Sequence, residues 1–263
     1  MKHAEISGQL HSPTPADKTP RGAILTWEGL PGVGLGGLDG RPAPSVFDSP
    51  YAVNPAGILE SNASPAISGI PITSAATKCF VTKWWRPIAV PETALVATSD
   101  GLVTGEFTYP LNVELESPWL LYGNWLYILP RKLKAGEVVK LNQFSSPRNL
   151  LLHLAQKKTV DSKDVITPWN ARSTDTARIL TMMLFHKSAG GNAYTGLGNS
   201  FDATLDLSDH LKTGRAVLFG RATTRPMELQ SHGESLSKHY DDSPTYYRLV
   251  LPVQAARTNL QSP

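Results

Sequence analysis

Between Gly101 and Gln143 the chain carries its longest apolar and aromatic segment, GLVTGEFTYPLNVELESPWLLYGNWLYILPRKLKAGEVVKLNQ. This stretch constrains the fold more than any other. Leu102 to Tyr109 mixes apolar and small polar residues, with Phe107 and Tyr109 on one face of a strand. Pro110 interrupts it, as suits a strand end. Val113 and Leu115 alternate with Asn112, Glu114 and Glu116, the pattern of a half-buried strand. Trp119 to Leu129 is too apolar for a surface, and Gly123-Asn124 within it marks a bulge or a tight hairpin. Pro130 to Gly136 reads as a polar turn, and Val138, Val139 and Leu141 begin another strand. These strands predict an antiparallel meander. A meander alone is too small to fold, so the rest of the chain must supply a second sheet.

At 263 residues the chain can bury a sizeable core in one large or two modest domains. Its 21 Gly and 21 Pro, set between short alternating runs, favour a mainly β class. A net charge of +3 spread along the chain argues against nucleic-acid binding, which calls for a dense basic stripe. The single cysteine, Cys79, has no intramolecular disulfide partner and reads as a small buried hydrophobe. Residues 1–20 are polar and rich in Pro, Ser and Thr, which predicts a disordered arm. They contain no apolar region of the signal-peptide type. No stretch reaches the ~18 apolar residues of a membrane span.

Ala23 to Trp27, Ile70 to Thr73, Thr77 to Trp85 and Ala94 to Thr98 read as further strands. The intervening Gly32-Val-Gly34-Leu-Gly36-Gly37 has G-x-G-x-x-G spacing, but Leu-Asp-Gly-Arg-Pro-Ala-Pro follows it. That continuation cannot propagate the helix a dinucleotide turn requires, so no dinucleotide is expected. Two helices are expected. Ser146 would cap one that has Pro147 at its first position and runs to about 157. Ser173 would cap the other, 174–187, which Gly190-Gly191 would end in a left-handed cap. Leu180 and Leu184 are one turn apart and are expected to face the sheet. The linker 157–172 reads as polar. Arg215 to Ala222 and Tyr246 to Val253 alternate as closing strands, and 254–263 is a tail.

The chemistry-bearing residue types do not assemble into a catalytic set. Lys212-Thr213-Gly214 and Ser235-Leu-Ser-Lys238 echo the elements of penicillin-recognising serine enzymes, in reversed order and with Ser208-Asp209-His210 where S-D-N would stand. No G-x-S-x-G elbow is present, and His153 and His186 lie on predicted helices. His232, Glu234, His239 and Asp241 have metal-ligand character without a recognised spacing, so a solvated polar loop is the simpler reading. Asp202, Asp206 and Asp209 could pair as acid and base, though Asp206 to Asp209 equally suits a turn or cap. No cofactor is expected. Most tryptophans sit in apolar strands, where the core explains them. Trp84 and Trp85 must point to opposite faces of one strand, so one of them is the candidate for an exposed, sugar-stacking aromatic.

Six strings together carry a resemblance: ILTWEGLPGVGLGGL, IPITSAATKCFVTKWW, LLYGNWLYIL with LKAGEVVKL, ILTMMLFHKSAGG with YTGLGN, LDLSDHLKTGRAVLFGRA, and YYRLVLPV. Over roughly residues 22 to 253 the chain resembles the extracytoplasmic C-terminal region of large membrane proteins of planctomycete-type bacteria. The resemblance implies an immunoglobulin-like antiparallel β-sandwich, here one domain over 21–253 with helices near 147–157 and 174–187. It implies no catalytic residue, since each string is structural. The expected function is a non-catalytic extracytoplasmic interaction or structural module. Its partner would be a membrane-embedded protein or segment. Carbohydrate binding through Trp84 or Trp85, and a hydrolase site in the 232–242 loop, are the alternatives. The chain itself shows neither signal nor span, so it is expected to be either a piece of a longer membrane protein or differently located.

Overall fold

The computed structural model describes residues 91–142, 146–173, 175–199, 202–223 and 245–255 in detail. Outside these ranges it describes only the backbone of β1 (His3–Ile6), β2 (Ile24–Leu30), β3 (Ala52–Asn54), β4 (Ala66–Pro71), β5 (Cys79–Trp85), β16 (Gln230–Ser231) and β17 (Glu234–Ser235). β4 lies between β1 and β3, β2 pairs antiparallel with β5, and β16 pairs with β17. The described strands pair antiparallel throughout, apart from one parallel bridge, Val96 to Gln254.

Two sheets organise the well-described part. The smaller contains β6 (Val96–Ala97), β7 (Val103–Thr108) and β11 (Val138–Leu141), in the order β11-β7-β6. The larger contains β8 (Leu115–Tyr122), β9 (Trp125–Ile128), β12 (Arg148–Asn149), β15 (Ala216–Ala222) and β18 (Tyr246–Leu251), in the order β12-β9-β8-β15-β18, with β10 (Lys132–Leu133) also pairing β8. The expected meander is therefore corrected. β8 and β9 form the hairpin, closing at Tyr122 and Trp125 around Gly123-Asn124. β7 and β11, however, leave that sheet and pair with each other.

Strand alternation sends successive side chains of the larger sheet to opposite sides. Leu120, Tyr127, Leu218, Leu249 and Leu251 meet Val103, Phe107, Val139 and Leu141 of the smaller sheet in one buried cluster. Leu121, Leu126, Val217 and Phe219 take the other side and meet a helical layer. That layer holds α1 (Leu150–Leu154), α2 (Thr176–Leu184), α3 (Gly191–Thr195), α4 (Asp202–Leu205) and a 3-10 turn at Ser208–Lys212. β15 is thus covered on both faces, which is why its five residues Ala216 to Gly220 are all buried. Among the described residues no helix is long and apolar enough to cross a membrane.

Several sequence expectations shift locally. Asn149, not Ser146, caps α1, its side chain accepting from the Leu152 N–H at 3.1 Å. Pro147 therefore precedes a short strand instead of opening a helix. Asp175, not Ser173, caps α2, accepting from the Arg178 N–H at 3.0 Å. The carboxylate sits at the positive end of the helix, where it is favoured. Ile179, Met182 and Met183 supply the buried stripe of α2, while Leu180 and Leu184 are half-buried. Gly190 adopts φ 100 at the start of α3 and so opens the next helix instead of ending α2. The linker expected at 157–172 contains a hairpin, β13 (Lys158–Val160) with β14 (Lys163–Val165), turned through Asp161 and Ser162 at φ 48 and 63.

Candidate functional site

The histidines are the first place to look for chemistry. His186 is buried, and its Nε2 lies 3.2 Å from Thr195 Oγ1 and 3.1 Å from the Leu197 carbonyl oxygen. The Thr195 hydroxyl also lies 2.9 Å from that carbonyl and accepts from the Leu197 N–H at 3.1 Å. A hydroxyl beside an imidazole could be a nucleophile with its base. Here both groups are buried and spent on the backbone of the turn after α3, so they hold that turn closed. His153 packs edge-on against Trp119, with ring centroids 5.0 Å apart. Burial, and then the nearby Arg148 and Arg178, hold its pKa below the usual histidine value. It is a neutral packing residue.

The aspartates serve the fold. Asp206 accepts from the Lys187 and Ser208 backbone N–H groups, each at 2.9 Å, which makes it a cap. Asp209 bridges Lys212 and Lys187, each at 3.0 Å, and the two ammonium groups keep its carboxyl below the ordinary aspartate range. Lys212 and Ser208 of the echoed enzyme elements belong to this same turn. Among the described residues, no three His, Cys, Asp or Glu side chains are grouped to hold a metal. His232, His239 and Asp241 lie outside the described residues, and only the backbone of Glu234 is described, on β17. The Gly32 to Gly37 turn also lies outside. Trp84 and Trp85 fall on β5, opposite Leu25 and Ile24 of β2, and their side chains lie outside the described residues. Trp119 and Trp125 are half-buried and packed on the two cores, as their strand context implied, and Trp169, outside any strand, is half-buried against the helix-facing core.

A different feature remains open. A groove of about 200 Å³ runs between the end of β9 and the free edge of β11, lined by Tyr127, Ile128, Pro130, Glu137, Val138 and Lys140 among others. Both of its walls are strand edges, and each has a local cause.

The β11 wall begins at a turn. Gly136 has φ 75, the Glu137 N–H donates to the Lys134 carbonyl at 3.1 Å, and the Gly136 N–H donates to the Tyr109 carbonyl at 2.8 Å. The Tyr109 N–H in turn donates to the Glu137 carbonyl at 2.9 Å. This is a turn with glycine at its left-handed position leading into a glycine bulge. The bulge fixes the phase of the ladder. Val139 and Leu141 exchange hydrogen bonds with Phe107 and Gly105 of β7, so the backbone groups of Val138 and Lys140 point to the other side. Among the described residues no strand lies there.

The β9 wall opens where β12 stops pairing with it. β12 pairs Arg148 with Leu126 and Asn149 with Trp125. Continuing that register would place Pro147 opposite Tyr127 and Ser146 opposite Ile128. β12 does not extend that far. Pairing stops, and the Ile128 backbone is left facing the groove. Ile128 is 48% exposed and Val138 49%, so each wall also presents a β-branched apolar side chain to solvent.

Comparison with protein-family models, with curated proteins and with solved structures returned no match.

Proposed function

We infer that this chain is a non-catalytic interaction module that binds an extended segment of a partner protein by strand addition in the β9–β11 groove. The observation that carries this reading is the pairing geometry. Ile128 on one wall, and Val138 and Lys140 on the other, aim their backbone hydrogen-bonding groups into one cleft. An added strand gains main-chain hydrogen bonds from such edges and side-chain specificity from alternate pockets. Two antiparallel sheets packed face to face also support the finer reading of an immunoglobulin-like β-sandwich. The family resemblance of the sequence supports an extracytoplasmic setting beside a membrane-embedded protein.

Selection of a random extended-peptide library on the full-length protein tests this reading. Selected peptides should bind the parent and lose binding to Val138→Pro. That substitution removes an edge donor while leaving the bonds of Val139 and Leu141 to β7 in place. Their binding should also protect the Ile128, Val138 and Lys140 amides from hydrogen exchange. A hydrolase or transferase activity abolished by one polar substitution would sink the reading, and so would peptide binding indifferent to Val138→Pro.

A further inference from the structure

We propose that the β13–β14 hairpin is a separate docking surface, which lays one of its faces against an anionic lipid bilayer. The inference goes beyond the strand-addition reading and does not rest on it. Three of the seven large hydrophobic side chains that the described residues expose belong to this hairpin and its foot: Val160, Val165 and Ile166. A fourth, Leu151, is on α1, from which the hairpin grows. No residue from 156 to 166 is buried, so the core gains nothing from these side chains. The foot of the hairpin is nevertheless fixed. The Lys157 N–H donates to the Leu152 carbonyl at 2.9 Å, the Thr167 N–H to the Ala155 carbonyl at 3.1 Å, and the Tyr194 hydroxyl to the Thr167 carbonyl at 2.7 Å. A ribbon rooted in this way presents its faces to whatever lies outside the protein.

The register sorts the side chains of the two faces. Lys158 is opposite Val165, and Val160 is opposite Lys163. Directly opposed residues, and residues two apart on one strand, share a face. One face therefore carries Lys158, Val160, Lys163 and Val165, with Val160 51% exposed and Val165 47%. The other carries Lys157, Thr159 and Asp164. There Asp164 pairs with Lys157 and accepts from the Thr159 hydroxyl at 3.2 Å. The fold thus neutralises one face and leaves two lysines on the other. Among the described residues no carboxylate pairs with either of them. Asp161, the remaining carboxylate of the hairpin, sits in the turn, beyond the last cross-strand pair. Lysine stems lie along apolar surface while their ammonium heads reach outward. Lysines set beside valines in this way complement a layer of anionic head groups over an apolar interior.

Size decides between a protein and a lipid as the partner. Three residue pairs at about 3.4 Å per residue, on two strands about 4.8 Å apart, outline a face of roughly 100 Å². A standard specific protein interface takes about 800 Å² from each partner. A face this small cannot supply shape recognition. A bilayer surface asks for none, because it is fluid and attracts each added cation and apolar side chain separately. The hairpin's edges offer little to an added strand, since β13 and β14 have three residues each. A second copy stacked face to face would set lysines against lysines, which is repulsive.

Co-sedimentation of the full-length protein with vesicles decides the question. The protein should bind vesicles of phosphatidylcholine with about a third phosphatidylglycerol, and should bind pure phosphatidylcholine vesicles far more weakly. The difference should collapse near 0.5 M salt, where the Debye length is only about 4 Å. Lys158→Gln and Lys163→Gln should each weaken binding to the anionic vesicles about fivefold. Val160→Ser and Val165→Ser should weaken it severalfold by removing apolar contact, and Asp161→Asn should strengthen it. Lys157→Gln removes the same charge from the paired face and should weaken it far less. All six residues are exposed, and unchanged thermal unfolding checks the folding of each variant. Equal binding to the two vesicles, binding to neither, or equal losses for Lys157→Gln and Lys158→Gln overturns the proposal. Binding to poly-L-glutamate with none to anionic vesicles assigns the face to an acidic protein and overturns it as well. None of these results bears on the groove, which the peptide-library selection tests by itself.

Discussion

The hydroxyl of Tyr127, on β9 of the larger sheet, accepts the backbone N–H of Val103, on β7 of the smaller sheet, at 2.8 Å. One side chain thus ties the two sheets together through the core they share. Burial raises the Tyr127 pKa above the usual tyrosine value, while the Val103 hydrogen bond opposes that rise. Tyr127→Phe keeps the ring and leaves the Val103 N–H buried without a partner. Such an orphaned group costs about 1–3 kcal/mol. Chemical denaturation should show this loss as a lower midpoint with an unchanged slope.

In α2 the discriminating pair is Met182 and Leu180. Met182 is fully buried in the helix-facing cluster, whereas Leu180 is half-buried and outside that cluster's buried set. Met182→Ala should destabilise by about 2–5 kcal/mol, the usual range for a buried side chain cut to alanine. Leu180→Ala should cost clearly less. Parallel thermal melts of the two variants check the order, and a larger loss for Leu180→Ala would contradict the buried stripe described for α2.

Gly105 is a position where only glycine fits. Its φ is 109, and a Cβ there would stand 2.1 Å from the Ala94 carbonyl oxygen. The strained backbone alone would cost alanine about 1–3 kcal/mol. The overlap with Ala94 adds to that, because backbone is the obstacle. Gly105→Ala should therefore unfold at markedly lower denaturant. Gly123→Ala, which meets nothing within 4 Å of its Cβ, should be milder.

His153 should give stability a pH dependence of defined sign. Its folded pKa lies below the ordinary histidine value, so the unfolded chain takes up its proton first as pH falls. The contribution is complete above about pH 6.5, the ordinary value. It is lost as pH drops through the depressed folded value. The melting temperature of the parent should fall between pH 7.5 and 5, and His153→Gln should show a shallower fall. An unchanged slope in the variant would remove His153 from the account.

What the sequence made legible depended on where each signal came from. The Gly123-Asn124 turn and the alternation of Val138, Val139 and Leu141 are local, and both reappear in the structure. The strong alternation of Tyr246 to Leu251 likewise survives as a half-buried strand. Partner choice is not local. Nothing in the string from Leu102 to Leu141 says that β7 skips its neighbour β8 and waits for β11. Caps were misplaced by a few residues because Ser146, Asn149, Ser173 and Asp175 are all competent caps, and only the backbone geometry decides among them. The β13–β14 hairpin escaped notice because all six of its residues are exposed, which leaves no apolar period to detect. The groove was legible only in part. Val138 and the basic run near Arg131 are visible in the sequence. Their meeting with Ile128 depends on where β12 stops pairing β9 and on a glycine bulge setting the phase of the β7–β11 ladder.

The place of β15 also bears on how the chain reaches this arrangement. Leu121 pairs with Val217, ninety-six residues further along. Translation at about 5–20 residues per second puts at least 5 to 20 s between the synthesis of those two positions. Throughout that interval the nascent β8–β9 hairpin carries Leu120 and Leu121 beside an unoccupied edge. The strand that must cover it has not yet been synthesised. A chain built this way depends on its central strand arriving late, so folding is gated by the ribosome, and premature termination before residue 216 should yield aggregates instead of a smaller folded unit.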